Sequence, residues 1–418
     1  MVKFDKFILK NGLTVLVHHD SNTPMTAMNL IYKVGSRDEH PNKTGFAHLF
    51  EHLMFGGSIN IPKYDEPLQK AGGENNAFTN SDFTDYYLTI PTSNLETAFW
   101  LESDRMLSLA FTPKSLEVQR QVVIEEFKQN YLNQPYGDVY LLLKPLTYKK
   151  HPYRWNTIGK DVNHIQKATM EDVKTFYEKY YRPDNAILSI AGNVETEYIK
   201  TLAEKWFEPI PAGNMPKNIY PVEPEQISSR TLTVERPVPQ NAIYMAWPMS
   251  ARTDERFYCQ DLISDILSNG NSSRLFQNLV KKDQLFSDIN AFVTGDIDKG
   301  LFIVSGKLIN GTSGKKAESA IQAQLNILSS KLVREEELQK VKNKIESNLI
   351  FSKLSVLNKA MNLAYFEMLG EAERLNLEIG KYRKVNRNQI REEASLLFAE
   401  NKRNILFYEV EKNEQMQE

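Results

Sequence analysis

An internal repeat constrains this chain more than any other feature. The run Ala47-His48-Leu49-Phe50-Glu51-His52-Leu53-Met54 falls, about 213 residues on, upon Gln260-Asp261-Leu262-Ile263-Ser264-Asp265-Ile266-Leu267, with Leu49, Phe50, Leu53 and Met54 each on an apolar residue. Flanking segments keep step: Leu30-Ile31-Tyr32 meets Ala242-Ile243-Tyr244 at an offset of about 212, and Ala77-Phe78-Thr79 meets Ala291-Phe292-Val293 at about 214. A drift of one residue is what loop insertions and deletions produce. The ends agree too, the strand Ala186 to Ala191 behind Arg182-Pro183-Asp184-Asn185 matching Ile405 to Val410 behind Lys402-Arg403-Asn404. A duplicated unit builds its core twice, and 418 residues is length enough for two cores. Pro209 to Gln226, Pro-rich and without periodicity, reads as the linker, so the expected domains are residues 1–208 and 227–418 joined by 209–226.

Each half reads as strands, a helix, then further strands and helices. Asn11-Gly12 is a turn between strands Phe7 to Leu9 and Leu13 to His18; Thr26 to Val34 and Tyr86 to Ile90 are further strands. Apolar periodicity predicts helices over Gly45 to Phe55, Leu95 to Leu107, Pro113 to Leu132 and Met170 to Tyr181, and in the second half over Lys315 to Leu332 and, with room for a kink, Glu335 to Leu369. The order predicts an α+β fold of two homologous domains, each a mixed, mostly antiparallel sheet with helices packed on one face.

A formal net charge of −2 gives no electrostatic reason to expect nucleic acid as a partner. No apolar run approaches the roughly 18 residues of a membrane span, and no apolar stretch follows Met1 to Lys6, so the expectation is a soluble, cytoplasmic chain without membrane partners. The single cysteine, Cys259, excludes an internal disulfide framework and a four-cysteine zinc site. Any metal here is held by His and carboxylate.

His48-Leu49-Phe50-Glu51-His52 supplies such ligands. On a helix, residues i and i+4 share a face one turn apart, so both imidazoles can reach one Zn²⁺ at about 2.0–2.1 Å, with Glu51 beside them. Thr44 is the expected N-cap, and Gly56-Gly57 the stop. A catalytic zinc usually has three protein ligands and one open position. The best third candidate is Glu126, on the helix that Thr112 caps and Pro113 begins, beside the stripe of Leu116, Val123, Phe127 and Tyr131; Glu125 points about 100° away, toward solvent.

These residues, with Gly72-Gly73-Glu74-Asn75-Asn76-Ala77-Phe78-Thr79 and Tyr180-Tyr181-Arg182-Pro183-Asp184-Asn185, resemble the pitrilysin/insulinase family of zinc peptidases, the inverzincins. The two-domain length is similar to the short branch that includes the mitochondrial processing peptidase subunits and bacterial relatives, where two chains close into a chamber. The resemblance implies one zinc per chain on His48, His52 and Glu126, with Glu51 as general base for hydrolysis of peptides or unfolded segments. It also implies that Asn76, Ala77, Phe78 and Thr79 form an edge strand to which an extended peptide adds.

Three departures accompany it. Where the family has an Arg and, seven residues later, a Tyr that reach the substrate backbone, this chain has Val280 and Ser287. A homologous companion chain supplying that pair is therefore expected, giving a heterodimer, with a homodimer as the competing outcome. Gln119 stands where the family has Glu; it can hydrogen-bond a ligand histidine from behind, with less charge. In the second half, Asp261, Ser264 and Asp265 replace the metal motif while the apolar stripe persists, so one site per chain is expected.

Other motifs have structural readings. His18-His19 point to opposite faces of a strand, Cys259 falls on the apolar position of Phe46, and Gly311 to Lys316 lacks the spacing of a phosphate loop. The rival from another class is a non-catalytic scaffold subunit, supported by the missing Arg/Tyr pair and opposed by all four residues of the metal motif. A dedicated presequence-processing peptidase shares the chemistry with narrower specificity.

Overall fold

The computed structural model describes residues 1–213 and 218–411; residues 214–217 of the expected linker lie outside them. The chain divides into two compact units, one of Met1–Gln129, Trp155–Pro221 and Leu349–Leu377, the other of Asn130–Arg154, Val222–Asn348 and the chain from Glu378 on. No described helix is long and apolar enough to cross a membrane.

The first unit holds β1 (Asp5–Ile8), β2 (Thr14–His19), β3 (Met25–Tyr32), β4 (Glu74–Thr79), β5 (Thr84–Pro91) and β6 (Ala186–Gly192) in one sheet of order β1-β2-β6-β3-β5-β4. Its β2–β6 pair is parallel and the rest antiparallel. Gly12 makes the first turn, at φ +90, where a side chain is strained. The second unit holds β7 (Arg230–Arg236), β8 (Ala242–Pro248), β9 (Phe286–Val293), β10 (Leu301–Leu308) and β11 (Asn404–Val410) in the order β7-β11-β8-β10-β9, with β7–β11 parallel. With β1 set aside, the two orders agree strand for strand, and each sheet is mixed and mostly antiparallel, as the sequence predicts.

Alternation along β3 sets the two faces of the first sheet. Tyr32 turns to one side, its ring 5.8 Å from Tyr86 and 4.6 Å from Tyr181, and Phe50 stacks on Tyr181 at 5.1 Å. Ala27, Ile31, Ile187 and Ala191 turn to the other, where the helix Val356–Met368 covers them with Ala360 and Leu363. That helix comes from the second half of the sequence. In the second unit the helix Val139–Thr147, from the first half, covers Ala242, Ala246, Leu406 and Tyr408, while Trp247 and Phe302 on the opposite face meet Phe398. Each sheet thus gains a second helical layer from the other half of the chain, and each buried Leu or Ile in it stabilises by about 1.5–3 kcal/mol.

Two sequence expectations are corrected. Tyr32 faces its unit's own helices whereas Tyr244 packs with the exchanged helix Val139–Thr147. A one-residue slip flips every side chain, so Tyr32 matches Met245 rather than Tyr244: Tyr32 lies opposite Ala186 as Met245 lies opposite Ile405. The long helix expected from Glu335 to Leu369, with room for a kink, is broken outright into two, Glu335–Ser352 and Val356–Met368, the second capped by Ser355.

Candidate metal centre

His48, Glu51 and His52 lie on the helix Phe46–Leu53, here the His helix, whose Phe46, Ala47, Leu49, Phe50 and Leu53 are buried. The expected cap Thr44 is not its N-cap. Gly45 is, at φ +91, and a Cβ there would come within 2.8 Å of the Ile158 carbonyl oxygen. Thr44 instead turns its hydroxyl to Nδ1 of His164 at 2.8 Å. The orphan N–H groups of Gly45 and Ala47 donate to Oε2 and Oε1 of Glu39, each at 2.9 Å. Burial pushes the Glu39 carboxyl well above the usual carboxylate range, and those two hydrogen bonds oppose the shift.

Glu126 comes from the helix Pro113–Phe127, the Glu helix, which begins with Thr112 and Ser115 in a reciprocal capping box and Pro113 in the first turn. Leu116, Val123, Ile124 and Phe127 are buried. Glu125 lies on the exposed side, paired with Lys128 at 2.7 Å. The helix ends in a π-helical turn, Lys128–Leu132, inside the span expected to be regular helix.

The two helices bring three donor atoms together. Nε2 of His48 and Nε2 of His52 are 3.3 Å apart, and Oε2 of Glu126 lies 3.7 Å from the first and 3.5 Å from the second. A tetrahedral ion with bonds of about 2.0–2.1 Å has ligand–ligand edges of about 3.3–3.4 Å, so the trio fits zinc in spacing and in donor type. Protonation agrees. Burial, with His52 beside it, lowers His48 to about 4, leaving a neutral imidazole at pH 7, and the hydrogen bond with His52 holds the Glu126 carboxyl below its ordinary value. Among the described residues this is the one group of three or more His, Cys, Asp and Glu side chains close enough to hold a metal.

Glu51 is half-buried, and burial raises its carboxyl above the ordinary value while a hydrogen bond from Thr79 pulls it down. That bond, Thr79 Oγ1 to Glu51 Oε2 at 2.6 Å, joins the His helix to the end of β4. β4 is the edge of its sheet, paired on one side with β5. Asn76 is exposed and Ala77 and Phe78 are half-buried; the Ala77 N–H donates to the Asn76 side chain at 2.8 Å, and Phe78 packs on Phe83. Among the described residues no hydrogen bond joins Gln119 to either histidine, and Nδ1 of His48 is buried without a partner. Val280 lies in a π-helical turn, Phe276–Lys282, and Ser287 is exposed on β9. Sequence reasoning misses Glu39, whose bonds span six and eight residues and leave no local signature. It also misses the Thr79 hydroxyl, because a strand pattern speaks for the backbone and not for that side chain.

Comparison with known proteins bears on the whole chain. Residues 14–159 match the family model described as insulinase (peptidase family M16), and residues 167–345 match the one described as peptidase M16 inactive domain. The chain is 31% identical over 376 residues to a protein named zinc protease PqqE from Helicobacter pylori, covering 87% of this chain and 82% of that one. It is 29% identical over 217 residues to the mitochondrial-processing peptidase subunit beta of Saccharomyces cerevisiae, covering 51% and 45%. A crystal structure of a protease from Helicobacter pylori superposes with a TM-score of 0.92 at 27% identity, covering 98% of this chain and all of that one. With both halves matched by the family's models and a relative aligned over most of its length, the chain belongs to the insulinase family, peptidase family M16.

Proposed function

We propose that the protein is a zinc-dependent endopeptidase or oligopeptidase acting on peptides and unfolded segments. The observation that carries this reading is the convergence of His48 Nε2, His52 Nε2 and Glu126 Oε2 within 3.3–3.7 Å, with Glu51 one residue from a ligand on the same helix. On this reading residues 1–208 carry the catalytic machinery and 227–418 form a homologous non-catalytic half, each half lending a segment, 130–154 and 349–377, to the compact unit built mainly by the other. Zinc held by the three side chains supplies a Lewis acid that polarises the scissile carbonyl and makes water acidic enough to react near neutral pH.

The rest is the work of the chain's own residues. Glu51 takes a proton from the attacking water as its oxygen adds to the carbonyl carbon. The same carboxyl passes that proton to the leaving nitrogen as the C–N bond breaks, so a carboxylic acid and an amine depart and Glu51 is regenerated. The free edge of β4, Asn76 to Thr79, offers main-chain hydrogen bonds to an extended peptide, which makes binding tolerant of sequence. Val280 and Ser287 have neither the charge nor the ring that relatives offer the substrate backbone, so a homologous companion chain completes the site in a heterodimer. The name of the yeast relative, a subunit, is in keeping with that.

A non-catalytic scaffold subunit is the second reading, favoured by Val280 and Ser287 and by the word "inactive" in the description of the family domain that residues 167–345 match. Quenched fluorescent peptides, offered to the zinc-loaded chain alone and with a homologous companion, with and without chelator, separate the two. Chelator-sensitive cleavage abolished by Glu51→Gln, with zinc content retained, is expected. Cleavage that survives Glu51→Gln, or none in either arrangement, overturns the peptidase reading.

A further inference from the structure

The bond between Thr79 and Glu51 has a fixed direction. The Thr84 hydroxyl gives its one hydrogen to the Val34 carbonyl at 2.9 Å, so toward Thr79, 3.4 Å away, its oxygen only accepts. Thr79 therefore has no hydroxyl donating to it from that side, and its own hydrogen goes to the closer acceptor, Oε2 of Glu51 at 2.6 Å. The residue also has a particular place. It ends β4, opposite Thr84 in register, on the strand whose outer edge pairs with no other strand among the described residues. One side chain thus joins the carboxylate to the strand on which a peptide adds.

We propose that Thr79 is a positioning residue for Glu51. With Oε2 engaged as an acceptor, Oε1 is left to take the proton from water, and the plane of the carboxylate is fixed against β4. The Thr79 hydroxyl acts on the base, whereas a peptide pairing with β4 uses its main chain, so the effect appears in turnover rather than in binding. The proposal rests on the peptidase reading above.

The test is a kinetic series on the full chain, with the companion chain if activity requires it. Thr79→Val keeps the shape and removes the donor; Thr79→Ser keeps the donor and removes the methyl group. Loss of a supporting hydrogen bond at a metal site reduces activity by roughly 10- to 100-fold. Thr79→Val is expected to lower kcat by about that factor, with KM and bound zinc each within about twofold of the parent, and Thr79→Ser to recover most of the loss. If Thr79→Val unfolds, Thr79→Ala makes the same deletion. An unchanged kcat, a rise in KM alone, or an equal loss in Thr79→Ser overturns the proposal and leaves the peptidase reading standing. A parent chain that cleaves nothing, alone or with its companion, overturns both.

Discussion

Glu39 caps Ala47: its Oε1 accepts the Ala47 N–H at 2.9 Å, one residue ahead of His48, while Oε2 accepts Gly45 at the same distance. A buried side chain six residues upstream thus does what the local N-cap does not. Glu39→Ala leaves two buried N–H groups without acceptors, and each such loss costs about 1–3 kcal/mol. The expected result is a chain less stable by about 2–6 kcal/mol in urea or guanidinium unfolding, with weaker zinc retention because the turn bearing His48 frays. Unchanged stability and unchanged zinc content would show that the cap is idle.

His48 Nε2, His52 Nε2 and Glu126 Oε2 sit at zinc-like spacing on two separate helices, so an ion held there would tie the helices together. Binding to the folded state alone stabilises by RT ln(1 + [L]/Kd), about 2.7 kcal/mol at 100 times Kd. Chelation is expected to lower the thermal midpoint and added zinc to restore it, while His48→Ala, His52→Ala and Glu126→Ala lose both the response and the metal. A chelator response that persists in Glu126→Ala would move the site elsewhere.

Much of that site is legible in the sequence because helical periodicity is local. Four-residue spacing puts His48 and His52 on one face, and the Val123–Phe127 stripe orients Glu126 against the core. What stays hidden is non-local. The apolar faces of Val139–Thr147 and Val356–Met368 say that each helix must be buried, but not which sheet receives it. The Glu39 cap has no pattern to read, and the Tyr32–Tyr244 match looks sound because residue type survives a one-residue slip that side-chain direction does not.

Asp261, at the place of His48 in the second half, has become a packing residue. It accepts a hydrogen bond from Tyr382 at 2.6 Å, and burial, with Asp265 near, raises its carboxyl to about 6 despite Arg252. Glu378 adds to the rise. A carboxyl raised from 3.8 in the unfolded chain favours the folded state while protonated. That contribution is whole below about pH 4 and is lost as pH climbs through about 6, a change of about 3 kcal/mol. Asp261→Asn is expected to flatten stability across this window, measured by denaturant unfolding at pH 4, 5, 6 and 7. An equally steep decline in the variant would assign it to other groups.

Arg105 is buried against Glu102 through two hydrogen bonds of 2.8 and 2.7 Å, and its guanidinium lies over Tyr86 and Tyr64 at 4.4 and 4.7 Å. Tyr64 donates to the same carboxylate. Removing one member of a buried pair strands the other charge, at about 3–5 kcal/mol. Arg105→Ala is expected to lose that much, and Arg105→Met with Glu102→Leu distinctly less, in equilibrium unfolding. Equal losses would mean that ring packing, and not charge pairing, dominates.

The proposed partnership is testable within one chain, at Val280 and Ser287. Val280 is apolar, and among the described residues the Ser287 hydroxyl makes only long hydrogen bonds, 3.3 Å to the Gln240 side chain and 3.4 Å to the Lys307 carbonyl. Neither reaches far from its backbone. If a companion chain supplies the cation and the ring that such a site needs, placing them in this chain should relieve that dependence. Val280→Arg with Ser287→Tyr is expected to raise kcat/KM of the chain assayed alone by at least about 10-fold, the scale of roughly 1.4 kcal/mol of added transition-state stabilisation, with zinc content unchanged. Each single variant should give less than the pair, since both groups would hold one backbone. A double variant that stays silent while the two-chain mixture cleaves would mean that the companion contributes something other than these two side chains.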